Sequence, residues 1–424
     1  MDRRTKEKAV SLLRQKAADP SITYADVALE TGYSERQLMR LAKRLAEGGE
    51  GAALAHGNSG RRAANAATDD EVRYMRGLKG PYPSITIAHF RDIYIEDVLQ
   101  NPAKAGDVER YGLVPRSASW FRLLFEREGW ESPAARRPRR GGDGRPHPMR
   151  PPLPRAGMMV QVDGTPYDWF GSGEAWCMHL GVDDATTSVL GGWFMPVECM
   201  RGYSRMMHQV VTRHGVPQSM YSDKDSVLRS VKSGGPTQFS AMMADLGIRM
   251  IYANSPQAKG RVERYNRTAQ LRLSNDLVRF GVSGYDAINA WFNDFYAPYL
   301  NSKFSYRPRD PASAFSPLPE GLDLARVFRT RDTRVAKSGV ISWGASLYMV
   351  VDSDGVILES ESPTTVNVHV DAITEELYAE LRGRRYALVE FASRDRRGPA
   401  GAYDQRDLQR ILKGMSGENA VREG

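Results

Sequence analysis

One stretch of this 424-residue chain separates two different patterns. Residues 131–157 are rich in Pro, Arg and Gly and carry no apolar periodicity. A segment of that kind has no face to bury, so it reads as an extended linker between separately folded bodies. Ahead of it the apolar residues recur at helical spacing; after it, strand and helix patterns alternate. The charge divides at the same place. Residues 1–156 hold 28 basic and 20 acidic side chains, and residues 157–424 hold 31 of each. The whole formal excess of +8 therefore lies in the first third, and 131–156 alone carries seven Arg against Glu131 and Asp143. Such asymmetry points to contact with a polyanion.

Composition removes several alternatives. Two cysteines, Cys177 and Cys199, cannot build a disulfide framework or a four-cysteine zinc site. The seven histidines show no H-x3-H spacing, so structural zinc is not expected. No run of eighteen apolar residues is present, and the first ten residues lack the apolar core of a secretory signal. A soluble, cytoplasmic chain is the expectation, with no membrane partner and with nucleic acid as the leading polyanion.

Residues 1–66 read as a helix-turn-helix DNA-binding domain. Helices fit 6–18 and 24–31, and Gly32 stops the second. Ser34 with Gln37 then forms a capping-box pattern that opens a third helix. There Leu38, Leu41 and Leu45 form the buried stripe, and Arg36, Arg40 and Lys43 a basic stripe on another face. Residues 67–130 read as a second helical DNA-binding domain. Thr68-Asp69-Asp70-Glu71 starts a helix, another covers 84–98, and a third covers 118–128, stopped by Gly129. Trp120, Phe121, Leu124 and Phe125 give that last helix its apolar side, leaving Arg116, Arg122 and Arg127 to face DNA. In the linker 131–156, Arg136, Arg137, Arg139 and Arg140 can track phosphates. All these cations also suit merely solvated surfaces.

After the linker, strands are expected at 159–162, 175–182, 189–196, 219–222 and 249–253, with helices at 201–214, 237–246 and 257–277. The first two connections are hairpin-length, which makes three antiparallel strands. The later ones pass through helices, which suits parallel crossovers. A mixed sheet with helices packed on it follows. An aromatic-rich helix at 285–295 precedes a Pro-rich turn segment. Period-two runs within 328–390, separated by turns such as Asp352-Ser353-Asp354-Gly355, read as a small β-barrel. The tail 391–424 is polar, with one amphipathic helix at 404–415.

Three acids fall at informative places. Asp163 ends the first strand, Asp223 ends the fourth, and Glu263 lies in the helix after the fifth. With strands one and four adjacent, Asp163 and Asp223 sit side by side and the helix can bring Glu263 over them. Carboxylates so gathered repel one another, and a hard divalent cation relieves that cost. Mg²⁺, or Mn²⁺ in its place, suits oxygen ligands and phosphate chemistry. An acid at a strand end equally suits a solvated end, so position alone leaves both readings open.

The string Ser255-Pro256-Gln257-Ala258-Lys259-Gly260-Arg261-Val262-Glu263-Arg264 resembles the third-carboxylate motif of bacterial insertion-sequence transposases, closest to the ISNCY group. Tyr221-Ser222-Asp223-Lys224 resembles the second motif and Val162-Asp163-Gly164 the first, with 39 residues between Asp223 and Glu263. Residues 157–315 are thus similar to the DDE transposase and retroviral-integrase superfamily. The resemblance implies a multidomain α/β chain with an RNase H-like mixed-sheet core over 157–320. It implies that Asp163, Asp223 and Glu263 are catalytic and hold two Mg²⁺. The implied activity is hydrolysis of a phosphodiester at each transposon end, then attack of the exposed 3′-hydroxyl on target DNA by transesterification. It further implies a homo-oligomer assembled on double-stranded DNA in a bacterial nucleoid, with the need for an accessory ATPase left open. Lys259, Glu263, Arg267 and Gln270 share one helix face, which sets the cations Lys259 and Arg267 beside the acid. Asp225 stands where relatives often carry His and ranks below Asp223 as a ligand. Asp183 and Asp184 resemble a structural turn, Asp168 a solvated one, and His179, His208 and His214 core or surface histidines. The alternative is a catalytically idle DNA-binding regulator derived from such an enzyme. A nuclease acting on RNA–DNA hybrids is a third reading.

Overall fold

The computed structural model describes residues 3–55, 66–133, 150–222, 237–252, 260–344, 346–359 and 362–393. The chain divides into two compact units, Met1–Gly77 with Arg110–Leu113 and Leu78–Glu109 with Val114–Gly424. The expected second helical domain, 67–130, falls on both sides of that division.

In the first unit, α1 (Arg3–Ala18), α2 (Tyr24–Thr31) and α3 (Glu35–Leu54, broken at Gly49) enclose their own core of Ala9, Val10, Leu13, Val27, Leu38 and Leu41. The expected capping box is present: the Ser34 hydroxyl accepts from the Gln37 amide, and the Gln37 side chain accepts from the Ser34 amide at 3.0 Å. Thr23 and Asp26 make the same reciprocal pair at the start of α2. Lys6 Nζ donates to the carbonyls of Leu54 and Ala55, tying α1 to the end of α3. Next come α4 (Asp69–Lys79), α5 (Ile87–Ile93) with a π-helical turn at Tyr94–Leu99, α6 (Ala105–Tyr111) and α7 (Ala118–Glu128). Ser117 caps α7, and Gly129 ends it in the left-handed region.

The second unit is built on a five-stranded mixed sheet of β1 (Val160–Tyr167), β2 (Trp176–Asp183), β3 (Val189–Met195), β4 (Ser219–Ser222) and β5 (Arg249–Tyr252), in the order β3-β2-β1-β4-β5. The first three strands pair antiparallel, and β1–β4 and β4–β5 pair parallel, as the connection lengths require. Alternation along the strands feeds two cores. Val160 and Val162 face α8 (Met200–His214) and α9 (Gln238–Asp245), where Met206, Val210 and Phe239 are buried. Met178, Leu180 and Val182 face α10 (Gly260–Phe280), α11 (Tyr285–Trp291) and α12 (Ala297–Phe304), where Val262, Leu273 and Phe292 are buried. The aromatic helix runs on past its expected end at 295. A π-helical turn at Phe292–Tyr296 joins α11 to α12, and Pro298 falls in the first turn after it, where its missing N–H costs little.

The outer edge of β3 is closed by side chains rather than by a strand. The amide groups of Asn289, Asn293 and Asn301 each accept from and donate to the backbone of β3, at Phe194, Gly192 and Val189 respectively. Gly192 leaves room for the Phe292 ring, which a Cβ there would meet at 2.3 Å.

A short helix, α13 (Leu324–Val327), leads into β6 (Arg329–Ala336), β7 (Val340–Trp343), β8 (Ser346–Val351), β9 (Thr364–Asp371), β10 (Leu377–Leu381) and β11 (Arg384–Ser393). They form a six-stranded antiparallel sheet in the order β6-β9-β10-β11-β8-β7. A tight turn joins the two edge strands through a Lys337–Val340 bridge, giving a nearly closed barrel. Phe328 and Ala372 enter the α8-side core, and Arg205 of α8 donates to the carbonyls of Ala372 and Ile373. The expected tail helix at 404–415 lies outside the described residues. Among the described residues, no helix is long and apolar enough to cross a membrane.

Candidate active site

Asp163 sits half-buried in β1, opposite Leu180 of β2. Its Oδ2 accepts from Asn266 Nδ2 at 2.8 Å. Asn266 lies on α10, three residues after Glu263, so this bond draws the first turn of α10 over the acid of β1. Glu263 is exposed on that turn. Asp223 and Lys259 lie outside the described residues. The described strand β4 stops at Ser222, parallel to β1, with Met220 opposite Val160 and Tyr221 opposite Gln161.

The start of α10 is anchored by a buried acid. Asp184 Oδ1 accepts from Arg261 at 2.8 Å, Arg150 at 2.5 Å and Gln161 at 2.7 Å, and Oδ2 accepts from the Leu153 amide. Gln161 also accepts from the Val262 amide. Asp183 accepts from the Gly157 amide and from the amide and hydroxyl of Thr186. Asp183 is thus committed to a turn and Asp184 to the anchor of α10. The Asp168 carboxylate accepts from the amides of Ser172 and Gly173 in its own loop, which holds it below the usual carboxylate range.

Sequence reading missed Glu198. Its carboxylate lies against Gly164, beside Asp163 in the chain, where a Cβ would meet Glu198 Oε1 at 2.6 Å. The Tyr203 hydroxyl donates to Glu198 Oε1 at 2.5 Å, and burial together with Glu198 pushes that phenol well above its ordinary value. His179 fixes the start of the same helix. Its Nε2 accepts from the Cys199 amide at 3.1 Å while Nδ1 donates to the Trp193 carbonyl. Burial pushes His179 down to about 4, and Gly202 makes room for the ring. An acid two residues before a helix carries no signal in sequence, because Gly164 and Tyr203 meet it only after folding. Burial also pushes the Cys177 thiol up to about 12 and lowers His208 and His214.

Over 358 aligned residues the chain is 30% identical to a protein of Sinorhizobium fredii named as transposase y4bF, covering 82% of this chain and 72% of that one. The chain belongs to the transposase family. It is also 32% identical over 200 residues to the transposase for insertion sequence IS1202 of Streptococcus pneumoniae, covering 46% of this chain and 42% of the relative. Among solved structures, the HTLV-2 integrase catalytic core domain in complex with magnesium is 21% identical with a TM-score of 0.27, over 34% of this chain and 87% of the other. A simian T-cell lymphotropic virus intasome in complex with PP2A regulatory subunit B56 gamma is 14% identical with a TM-score of 0.29, over 66% of this chain and 94% of the other. No protein-family model matches.

In this transposase-family chain a buried charge network braces α10 from the far side. Arg272 pairs with Asp92 at 2.9 Å, and Asp276 accepts from His89 at 2.8 Å and from Tyr296. Arg279 bonds both Asp97 and Glu96, Lys303 of α12 pairs with Glu96, and Asn275 donates to the Ser84 carbonyl. Burial lowers His89, so its ring is neutral near pH 7. Asp276 is held below its ordinary range by His89, Tyr296 and Arg272, against the opposing effect of burial.

The expected DNA-contacting cations are placed unequally. Arg36, Arg40 and Arg267 are exposed. Lys43 is exposed but lies 3.7 Å from Glu47. Arg44, which sequence reading did not single out, extends the Arg36–Arg40 row at the same spacing of four. Arg116 stacks over Trp120 at 4.9 Å, and Arg122 is exposed. Arg136, Arg137, Arg139 and Arg140 lie outside the described residues. Among the described residues, no group of three His, Cys, Asp or Glu is placed to hold a metal ion.

Proposed function

We propose that this family member cleaves DNA at the ends of its element and joins the exposed 3′-hydroxyls to target DNA, using Asp163, Asp223 and Glu263. The Asn266–Asp163 bond carries the reading, because it brings the turn bearing Glu263 over β1. The register adds support. The β1–β4 pairs are 60 residues apart (220 minus 160, 221 minus 161), and Asp163 and Asp223 are also 60 apart (223 minus 163). The donor set is three carboxylates, which suits two hard cations such as Mg²⁺ and not a soft one. Asp163, Asp223 and Glu263 would hold them. When bound, the ions supply charge neutralisation at the phosphate and a lowered pKa for a nucleophilic oxygen.

The remaining work falls to the chain. Asn266 fixes the Asp163 carboxylate. Asp184 with Arg261 fixes the entry to α10. Arg267, and Lys259 in the same motif, attract the phosphates flanking the cleaved bond. The three helices of the first unit act as the helix-turn-helix that recognises the terminal repeats, with Arg36, Arg40 and Arg44 along α3 facing DNA. Residues 118–128, with Arg116 and Arg122, form a second DNA contact. Two ends must be handled together, so an oligomer on DNA follows.

The test is cleavage and strand transfer of a duplex bearing the inverted repeat that borders the gene, in Mg²⁺. Glu263→Gln and Asp163→Asn are expected to lower either rate at least a hundredfold, the order seen when one electrostatic element of a site is lost. Full activity in either variant removes the site assignment. DNA binding without any Mg²⁺-dependent nicking favours the idle regulator.

A further inference from the structure

The face of α10 that carries Glu263 does not end at the proposed active site. Glu263, Arg267, Gln270 and Ser274 follow at spacings of four, three and four, which align on one side of a helix. The last two line a cavity of about 380 Å³ between α10, the loop after β1 and the segment around Pro81 and Pro83. Its aromatic wall is Tyr167, at the end of the strand that carries Asp163. Tyr167 is 37% exposed and its ring is backed by Trp169, with ring centroids 4.9 Å apart.

Each side of this cavity is held in place. The Asn275 amide bonds the Ser84 carbonyl beside the prolines, and the charge network behind it fixes the same segment to α10. The acid in the lining, Asp168, is turned into its own loop amides, which offset part of its negative charge. The cavity therefore offers the Tyr167 ring and the Gln270 side-chain amide, reached along a helix face that carries a cation. Those are the features that accept a nucleobase: an aromatic ring for stacking, a polar group for its edge and a positive charge for its phosphate.

We propose that this groove binds one unstacked base of the DNA strand held at Glu263. The proposal rests on the DNA-cleaving reading above. Seven residues of α-helix between Glu263 and Gln270 span about 10 Å, or roughly three nucleotides at ~3.4 Å each. The base concerned lies two to four nucleotides from the cleaved phosphate.

The experiment places 2-aminopurine singly at each of several successive positions from the cleaved phosphate in the end-bearing duplex, and follows fluorescence and affinity with the full chain. A change confined to one position in the two-to-four window is expected. Tyr167→Ala should abolish it and weaken binding roughly tenfold, the order of one stacked base, while Tyr167→Phe keeps both. Gln270→Glu, a surface change that leaves the aromatic wall intact, should also weaken binding. Equal responses at all positions, or a Tyr167→Ala protein that melts, binds and signals like wild type, overturn the groove while cleavage by wild type leaves the catalytic reading standing. A position-specific signal with no cleavage supports the groove and removes the catalytic reading.

Discussion

The first helical unit and the segment 78–109 use their charges in opposite ways. In the first, Lys8–Glu30, Arg14–Glu50 and Lys43–Glu47 are pairs in which both partners stay about half exposed or more. Such pairs contribute at most about 1 kcal/mol each and are readily exchanged for phosphate. In 78–109 the acids meet Arg272 and Arg279, whose side chains are 8% and 5% exposed, and His89 meets Asp276 with neither exposed. Those groups fasten a segment to α10 and are not available to a ligand. The same residue types therefore mark a candidate DNA surface in one place and a joint in the other, and burial alone tells them apart.

The sharpest way to break this contrast is to remove one charge from each. Asp276→Ala takes the acceptor from buried His89 and Tyr296 and one carboxylate from the surroundings of Arg272 and Arg279, and should lower unfolding free energy by about 3–5 kcal/mol in a urea titration. Glu50→Ala should change it by less than about 1 kcal/mol. Equal effects would mean the network is no stronger than a surface pair.

Acid should separate the two regions next. His89 and His179 are lowered by burial, so the unfolded chain takes up protons first as pH falls through 6.5. The stability that their neutral forms contribute is complete above 6.5 and is lost toward the folded value, about 4 for His179, a loss on the order of 3 kcal/mol for that residue alone. Asp276 and Glu96, also lowered, withdraw theirs as pH falls below the ordinary carboxylate range. Melting followed from pH 8 to 4 should show the second unit failing first. A first unit that melts at the higher pH would reverse the assignment.

Smaller effects should appear in DNA binding without loss of stability. Arg36→Ala and Arg40→Ala should each reduce the salt slope of affinity by about one, with melting unchanged. Deleting residues 136–149 should lower affinity and flatten the slope further. The deletion must stop there, because Arg150 is bound to Asp184 and belongs to the anchor of α10. An unchanged slope would make the linker a tether only. Smallest of all, Ser34→Ala removes the cap of α3 and should cost about 1 kcal/mol, confined to the first unit.

These comparisons also explain what was legible in advance. Local chemistry was: the Ser34–Gln37 box, the Gly129 stop and the antiparallel and parallel strand order all follow from neighbours in sequence. Contacts between distant elements were not. Asp92, Glu96 and Asp97 look like an acidic helix surface until Arg272 and Arg279 cover them. Glu198 looks like a solvated acid until Gly164 makes room for it. Asp163 and Glu263 were legible as a motif, whereas Asn266, which joins their two elements, is an ordinary polar residue in a long helix.

The amide side chains along β3 have a further consequence. A bare outer strand is a template on which any other extended chain can grow, including a second copy of the same protein waiting unbound in the cell. By filling those backbone positions with Asn289, Asn293 and Asn301, the molecule blocks strand-by-strand growth at this border. In the proposed assembly on DNA, subunits would then meet through other surfaces, and self-association in its absence loses one of its easiest routes.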